Sequence, residues 1–234
     1  MDLAERLNLH KAICNQLLAT LERAGMVARE ERNRYPLGPG IALLAGHLLK
    51  RYRTLIDLLR EPLQGIWETT RETVTVHDRV GAERVCVEEL ESPEAIAYRA
   101  GIGHRASLYL GSASKVLLAF LPAAERAAIL RELRLASFTK RIITNSVRLT
   151  KELTKVRRAG YSVSSGERIT GASAVSVPLL DSEGRVIAAV SILGPNSRLT
   201  PEKLRRFAAI LKREVRPLPM VLPDSFLFAE EKKK

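Results

Sequence analysis

A chain of 234 residues with 46% hydrophobic residues can bury a real core in one large domain or two small ones, and its composition excludes wholesale disorder. The charge is one-sided, with 38 Lys and Arg against 26 Asp and Glu, a formal net charge of +12. Such an excess favours a polyanionic partner, nucleic acid or an acidic membrane surface, over a soluble protein that is simply basic.

The chain opens on two short helical patterns. Leu3, Ala4 and Leu7 share one face, and Asn8-Leu9-His10 interrupts it. Ile13, Leu17, Leu18 and Leu21 then recur at helical spacing until Gly25, which is placed as a C-cap. Two helices separated by a few residues predict a helix-turn-helix, whose second helix enters the DNA major groove. Met26 to Arg29, a charged turn, and Arg34 to Gly38 predict a hairpin. After a helix-turn-helix such a hairpin is a wing, from which Arg29, Arg32 and Arg34 reach phosphates; standing alone it would read as a solvated basic hairpin.

From Ile41 to Leu59 the apolar positions follow helical spacing over more than four turns, with Lys50, Arg51 and Arg53 off the stripe. This long linker helix suits packing against a second copy or against the chain's own second domain. Pro62 is placed to start a new helix running to about Thr70. The remainder mixes strands and helices. Strands are expected over residues 73–80 and 85–90, helices over 112–121 and onward through Leu135, and a basic loop over 137–146. A helix over 150–159 ends at Gly160. Strands follow over 161–165, 174–180 and 185–193, the last two joined by a turn at Asp181-Ser182-Glu183-Gly184. Thr200 and Pro201 open a final helix as N-cap and first helical residue. Residues 218–234 are expected to be a poorly ordered tail.

The order of these features resembles the IclR family of bacterial transcription regulators over nearly the whole chain. Asp2-Leu3-Ala4-Glu5-Arg6-Leu7 through Leu17-Leu18-Ala19-Thr20-Leu21-Glu22-Arg23-Ala24-Gly25 is similar to its helix-turn-helix, and Tyr35-Pro36-Leu37-Gly38 to the end of its wing. Ser112 to Ala119, Gly160-Tyr161 with Glu167 and Gly171, and Val190 to Pro195 are similar to its sensing domain. The resemblance implies an α+β protein: a winged helix-turn-helix (1–39), a linker helix (40–60), and a GAF-like effector-binding domain (61–217) whose curved antiparallel sheet is flanked by helices. It implies a homodimer or homotetramer that binds double-stranded promoter DNA under the control of a small carboxylic or aromatic metabolite.

Three departures stand out. The family's reader has a helix before the helix-turn-helix, whereas Met1 falls at the second helix. The chain therefore reads as shortened at its N-terminus, with Leu3, Leu7, Leu17 and Leu21 expected to be exposed. Ala12, Ile13 and Gln16 occupy recognition-helix places where the family carries hydroxyl and basic residues. That leaves His10, Lys11, Asn15 and Gln16 as the polar candidates; Asn and Gln suit adenine, and Lys suits guanine or phosphate. Ser164 and Ala174 stand where the family's pocket has an acid and a cysteine. These departures keep a second reading open, a sensing or dimerisation module that has lost specific DNA binding.

By the resemblance, the pocket is lined by Ser112, Ala113, Ser164, Ala174 and Ser191. Ser112, Ala113 and Ser114 open a helix whose N-terminal N–H groups suit a carboxylate, although Ser112 could equally be a plain cap. Leu108 and Tyr98 are candidates for the wall or for ordinary core. Glu167 matches an acid near the mouth, or is a surface carboxylate paired with Arg168.

Catalytic chemistry is not expected. His10, His47, His77 and His104 are scattered and no Gly-x-Ser-x-Gly elbow is present. Gly101-Ile102-Gly103 lacks the third glycine of a dinucleotide fingerprint, with Ala106 in its place. Cys14 and Cys86 give neither a disulfide framework nor a zinc spacing, so neither metal nor cofactor is expected. The first residues have no signal-peptide character and no apolar run spans a bilayer, so a cytoplasmic location is expected.

Overall fold

The computed structural model describes residues 3–136, 139 and 141–217. The expected tail, and the side chains of Arg32 and of residues 47–52 and 54, lie outside the described residues. The chain divides into two compact units, Met1–Thr54 and Leu55–Lys234.

In the first unit, helices α1 (Leu3–Leu7) and α2 (Lys11–Arg23) form the expected pair. The turn between them closes with Leu9 N–H donating to the Ala4 carbonyl at 3.0 Å. The helix α2 ends in a Schellman motif. Gly25 takes a left-handed φ of +70°, its N–H donates to the Glu22 carbonyl, and the Met26 N–H donates to the Leu21 carbonyl. The hairpin that follows is held by bridges at Val27–Leu37 and Glu30–Arg34 rather than by two full strands, with a single 3-10 turn (Glu31–Asn33) at its tip. Gly38 returns so close to Gly25 that a Cβ on it would lie 2.2 Å from the Gly25 carbonyl oxygen.

The apolar side chains buried in this unit, among the described residues, are Ala4 and Cys14. Leu3, Leu7, Leu17 and Leu21 are 45%, 55%, 49% and 42% exposed, as the two-helix reading anticipates. A five-residue helix is too short to cover the Ile13, Leu17, Leu21 stripe of α2.

The helix α3 runs unbroken from Pro39 to Thr70, so the new start expected at Pro62 is absent. Proline at this place removes the bond to the Leu58 carbonyl, a cost of about 3 kcal/mol inside a helix. Leu55, Leu59, Leu63 and Ile66 lie on both sides of it and are all at most 3% exposed, and burying four such side chains outweighs that cost.

The second unit carries one six-stranded antiparallel sheet: β1 (Thr73–Val80), β2 (Glu83–Leu90), β3 (Arg105–Ser107), β4 (Ser162–Ser165), β5 (Ala172–Leu180) and β6 (Val186–Pro195), in the order β3-β2-β1-β6-β5-β4. The short β3 is unexpected from sequence, since three residues carry no readable alternation. Four helices complete the unit: α4 (Gly111–Phe120), α5 (Ala123–Glu132), α6 (Ser146–Ala159) and α7 (Pro201–Glu214). The helix α6 begins a turn earlier than expected because the Asn145 side chain accepts from the Arg148 N–H at 3.0 Å. Thr200 caps α7 as expected.

Strand register gives the two sheet faces different chemistry. Val74 pairs with Ile192, Val76 with Val190, and these same β6 residues pair with Val175 and Val177, so one face is continuously apolar. The other face carries Thr73, Thr75 and His77 on β1, Ser191 on β6, Ala174 and Ser176 on β5, and Ser162 and Ser164 on β4. The helix α7 packs against β5 and β6, while α4 packs against β4, β5, β6 and α6. Around α4, Leu108, Val116, Leu117, Leu118, Leu149, Leu153 and Ala189 form an apolar core.

Gly38→Ala is expected to force the hairpin away from the end of α2, costing about 1–3 kcal/mol as an overpacking defect. Amide exchange will show it as lost protection at Ala28 and Glu30, which bond across the hairpin. In the β5–β6 turn, Asp181 is buried, which raises its pKa. Hydrogen bonds from the Arg185 N–H and guanidinium and from the Glu183 N–H outweigh burial and hold it below the ordinary carboxylate range. Its contribution is therefore present above the unfolded pKa of about 3.9 and is lost as pH falls through the lower folded value. Asp181→Asn should cost about 1–2 kcal/mol at pH 7 in urea unfolding, with the difference from the parent shrinking in acid below pH of about 4.

Candidate functional site

Two places gather the expected binding residues. In the first unit a groove is lined by Lys11 and Asn15 from α2 and by Arg29, Asn33 and Tyr35 from the hairpin. Lys11 and Asn15 lie one helical turn apart, so both side chains share one face. Arg29 donates to Asn33 Oδ1 at 3.0 Å, which orders the guanidinium at the groove edge. Arg34 is exposed beside Arg29, Glu30 and Glu31. Gln16 is exposed outside the groove, and His10 caps α2, its Nδ1 accepting from the Ala12 N–H at 3.4 Å.

The second place is a cleft in the Leu55–Lys234 unit, between the polar sheet face and the start of α4, with about 520 Å³ of atom-free space including its open mouth. Ser112, Ala113, Ser164, Ala174 and Ser191 all line it. Gly111 makes the approach possible: it opens α4 at φ +82°, conformationally cheap only for glycine, and no side chain caps the helix. The first N–H groups of α4 are thus at the cleft. Ser112 does not cap. Its Oγ accepts from Ser176 Oγ at 2.7 Å, and Ser176 Oγ is also 2.7 Å from Ser191 Oγ, a serine chain that ties α4 to β5 and β6. Ser176 escapes sequence reading because only the register of β5 against β6 brings it between the other two.

The other three expected residues lie elsewhere. Ser114 is fully buried and accepts from Arg84 Nε at 2.9 Å, Leu108 belongs to the helical core, and Tyr98 is half-buried with its hydroxyl donating to the Thr170 carbonyl. Glu167 lines the cleft and pairs with Lys115 at 2.7 Å, not with Arg168. Lys115 is 1% exposed and also donates to the Val163 carbonyl at 2.9 Å, so α4 is pinned to β4 and to the loop after it.

The charged lining was not legible in sequence. Thr75, His77, Arg84 and Arg168 complete the polar wall. Burial, then the nearby Arg84, Arg168 and His104, push the His77 pKa well below 6.5, so its ring is neutral at pH 7. Burial, then Arg168, lower Arg84 to about 10, and it remains a cation. Burial, then Glu89, push the Cys86 thiol up to about 12, which makes it inert as a nucleophile. Among the described residues no cluster of His, Cys, Asp and Glu is arranged to hold a metal, and no helix is long and apolar enough to cross a membrane.

Comparison with known proteins agrees with this architecture. The family model "Bacterial transcriptional regulator IclR C-terminal" matches residues 49–218. The transcriptional repressor AllR of Klebsiella pneumoniae is 29% identical over 222 residues, 94% of this chain and 81% of that protein. The transcriptional regulator KipR of Bacillus subtilis is 27% identical over 203 residues, 87% of this chain and 81% of that protein. The crystal structure of Thermotoga maritima IclR superposes with a TM-score of 0.72 at 31% identity, covering 91% of this chain and 85% of that one. With its helix-turn-helix, its six-stranded antiparallel sheet and a family match over most of its length, the chain belongs to the IclR family of bacterial transcriptional regulators.

Proposed function

We propose that the protein binds double-stranded promoter DNA through α2 and the wing, and that a small carboxylic or aromatic metabolite in the cleft at α4 sets that affinity. The family is one of regulators, not of enzymes. The observation that carries the effector half is the convergence of Ser112, Ala113, Ser164, Ala174 and Ser191 on one cleft at an uncapped helix start. Backbone N–H groups and the helix dipole favour a carboxylate there. The DNA half rests on the shared groove of Lys11, Asn15, Arg29 and Asn33, with Arg34 exposed on the wing. Asn15 is suited to adenine, and the basic side chains to phosphate or guanine. Gln16 and His10 flank the groove, and Arg32 belongs to the same basic wing sequence. Assembly as a homodimer or homotetramer follows the same reading, and exposed Leu44 and Leu58 on α3 give such contacts apolar surface.

The exposed Leu7, Leu17 and Leu21 favour one rival, a sensing or dimerisation module without specific DNA recognition. Fluorescence anisotropy against the protein's own upstream DNA and a scrambled duplex, at two salt concentrations, separates the two. A working reader binds the upstream DNA more tightly, loses affinity steeply with salt, and has a salt slope shallower by about one phosphate contact in Lys11→Ala or Arg29→Ala. Equal, weak binding to both duplexes selects the rival.

A further inference from the structure

The cleft contains more positive charge than its own residues balance. Arg84, on β2, is 6% exposed, and among the described residues its one side-chain bond is to a neutral hydroxyl, Ser114 Oγ. Arg168 sits in the loop between β4 and β5 and reaches His104 Nδ1 at 3.3 Å. Among the described residues no carboxylate lies within ion-pair distance of either guanidinium. The acids nearby are engaged elsewhere: Glu89 accepts from the Ala100 and Gly101 N–H groups, and Glu167 is held through Oε1 by Lys115. Burial lowers the pKa of Arg168 although Glu89 attracts it from beyond contact distance, and burial, then Arg168, lowers that of Arg84.

Two buried polar atoms on the same wall have no partner, His77 Nε2 and Glu167 Oε2. His77 is 3% exposed. Its other ring nitrogen is 3.4 Å from Thr75 Oγ1; with that hydroxyl donating to Nδ1, the ring proton lies on Nε2 and points to an acceptor. Glu167 Oε2, by contrast, can only accept. A buried cation without a carboxylate, a half-buried one beside it and orphaned polar atoms are unfavourable in isolation, so their convergence on one cleft marks what the occupant must supply.

We propose that the cleft takes a small carboxylate that also bears a hydroxyl, with the carboxylate held between Arg84 and Arg168 beside the start of α4. The hydroxyl accepts from His77 Nε2 and donates to Glu167 Oε2. This rests on the reading of the cleft as the effector site and narrows its ligand to a hydroxycarboxylate. Arg84 and Arg168 are the charge-selecting residues, and His77 with Glu167 selects the hydroxyl.

The test uses the full chain, with thermal unfolding and titration calorimetry. The probes are glycolate, L-lactate and L-malate, with acetate and propionate as acids lacking the hydroxyl and lactamide as an uncharged analogue. At least one hydroxy acid is expected to bind and raise Tm, with the acids lacking the hydroxyl about tenfold or more weaker and lactamide silent. Arg84→Met and Arg168→Gln should each abolish the ligand-induced shift. Arg84→Met should not lower the ligand-free Tm, because it removes an unbalanced buried charge; a merely structural arginine would lower it. If both variants respond to the acids as the parent does, or if no acid of the panel binds, the proposal is overturned. Ala174→Phe, which fills the cleft, separates the two levels. Loss of binding there together with retention in the arginine variants leaves the effector cleft standing and sinks the clamp. Binding that survives Ala174→Phe places the ligand elsewhere and sinks both.

Discussion

The arrangement of the second unit depends on one buried ion pair. Lys115 lies in the middle of α4 with its ammonium almost wholly out of water, and it is held by Glu167 and the Val163 carbonyl, with Glu152 of α6 farther off at 3.8 Å. A charge buried this deeply is tolerated only while its partners remain in place, and removing one partner of such a pair typically costs about 3–5 kcal/mol. The pair thus makes α4, β4 and the following loop one mechanical piece. It also fixes where α4 begins, and so where its free N–H groups meet the polar sheet face. Glu167 is left with one oxygen satisfied and one buried without a partner.

Around that anchor, the sheet divides its work between two faces. The valines and isoleucine of β1, β5 and β6 make one face a continuous apolar surface, which supplies stability without specificity. The other face is built of threonine, serine and histidine, which would be costly to bury without partners. The Ser112–Ser176–Ser191 chain satisfies part of it, and Arg84 with Ser114 another part. Of the buried side-chain atoms left without a partner, Ser162 Oγ lies away from the cleft, whereas His77 and Glu167 line it, together with two guanidiniums lacking a carboxylate.

The first unit follows a different logic. It has little buried apolar surface, and backbone devices carry its shape: the His10 cap, the Schellman turn at Gly25, and the contact of Gly38 with that turn. These fix the helix-turn-helix and bring the wing beside α2. The same thinness leaves leucines of α1 and α2 in water, so the groove residues are positioned by hydrogen bonds and glycine geometry more than by packing.

Local signals in the sequence determined the elements. Helical spacing in α2, the Thr200 and Pro201 start of α7, the Asp181–Gly184 turn and five of the six strands were readable, because each depends on neighbours within a few residues. The same signals, joined to the family resemblance, located Ser112, Ala113, Ser164, Ala174 and Ser191. The tertiary structure alone decided what those signals could not carry. It decided that α3 continues through Pro62, because distant burial outweighs a local helix breaker. It decided that Glu167 belongs to Lys115, that Leu108 is core, and that Ser176 links two serines, Ser112 and Ser191, far apart along the chain. It also decided that Arg84 and Arg168, separated in sequence by α4, α5 and α6, line one cleft. Charge and hydrogen-bond balance are properties of which groups meet in space, and strand register sets those meetings, so no window along the chain contains them.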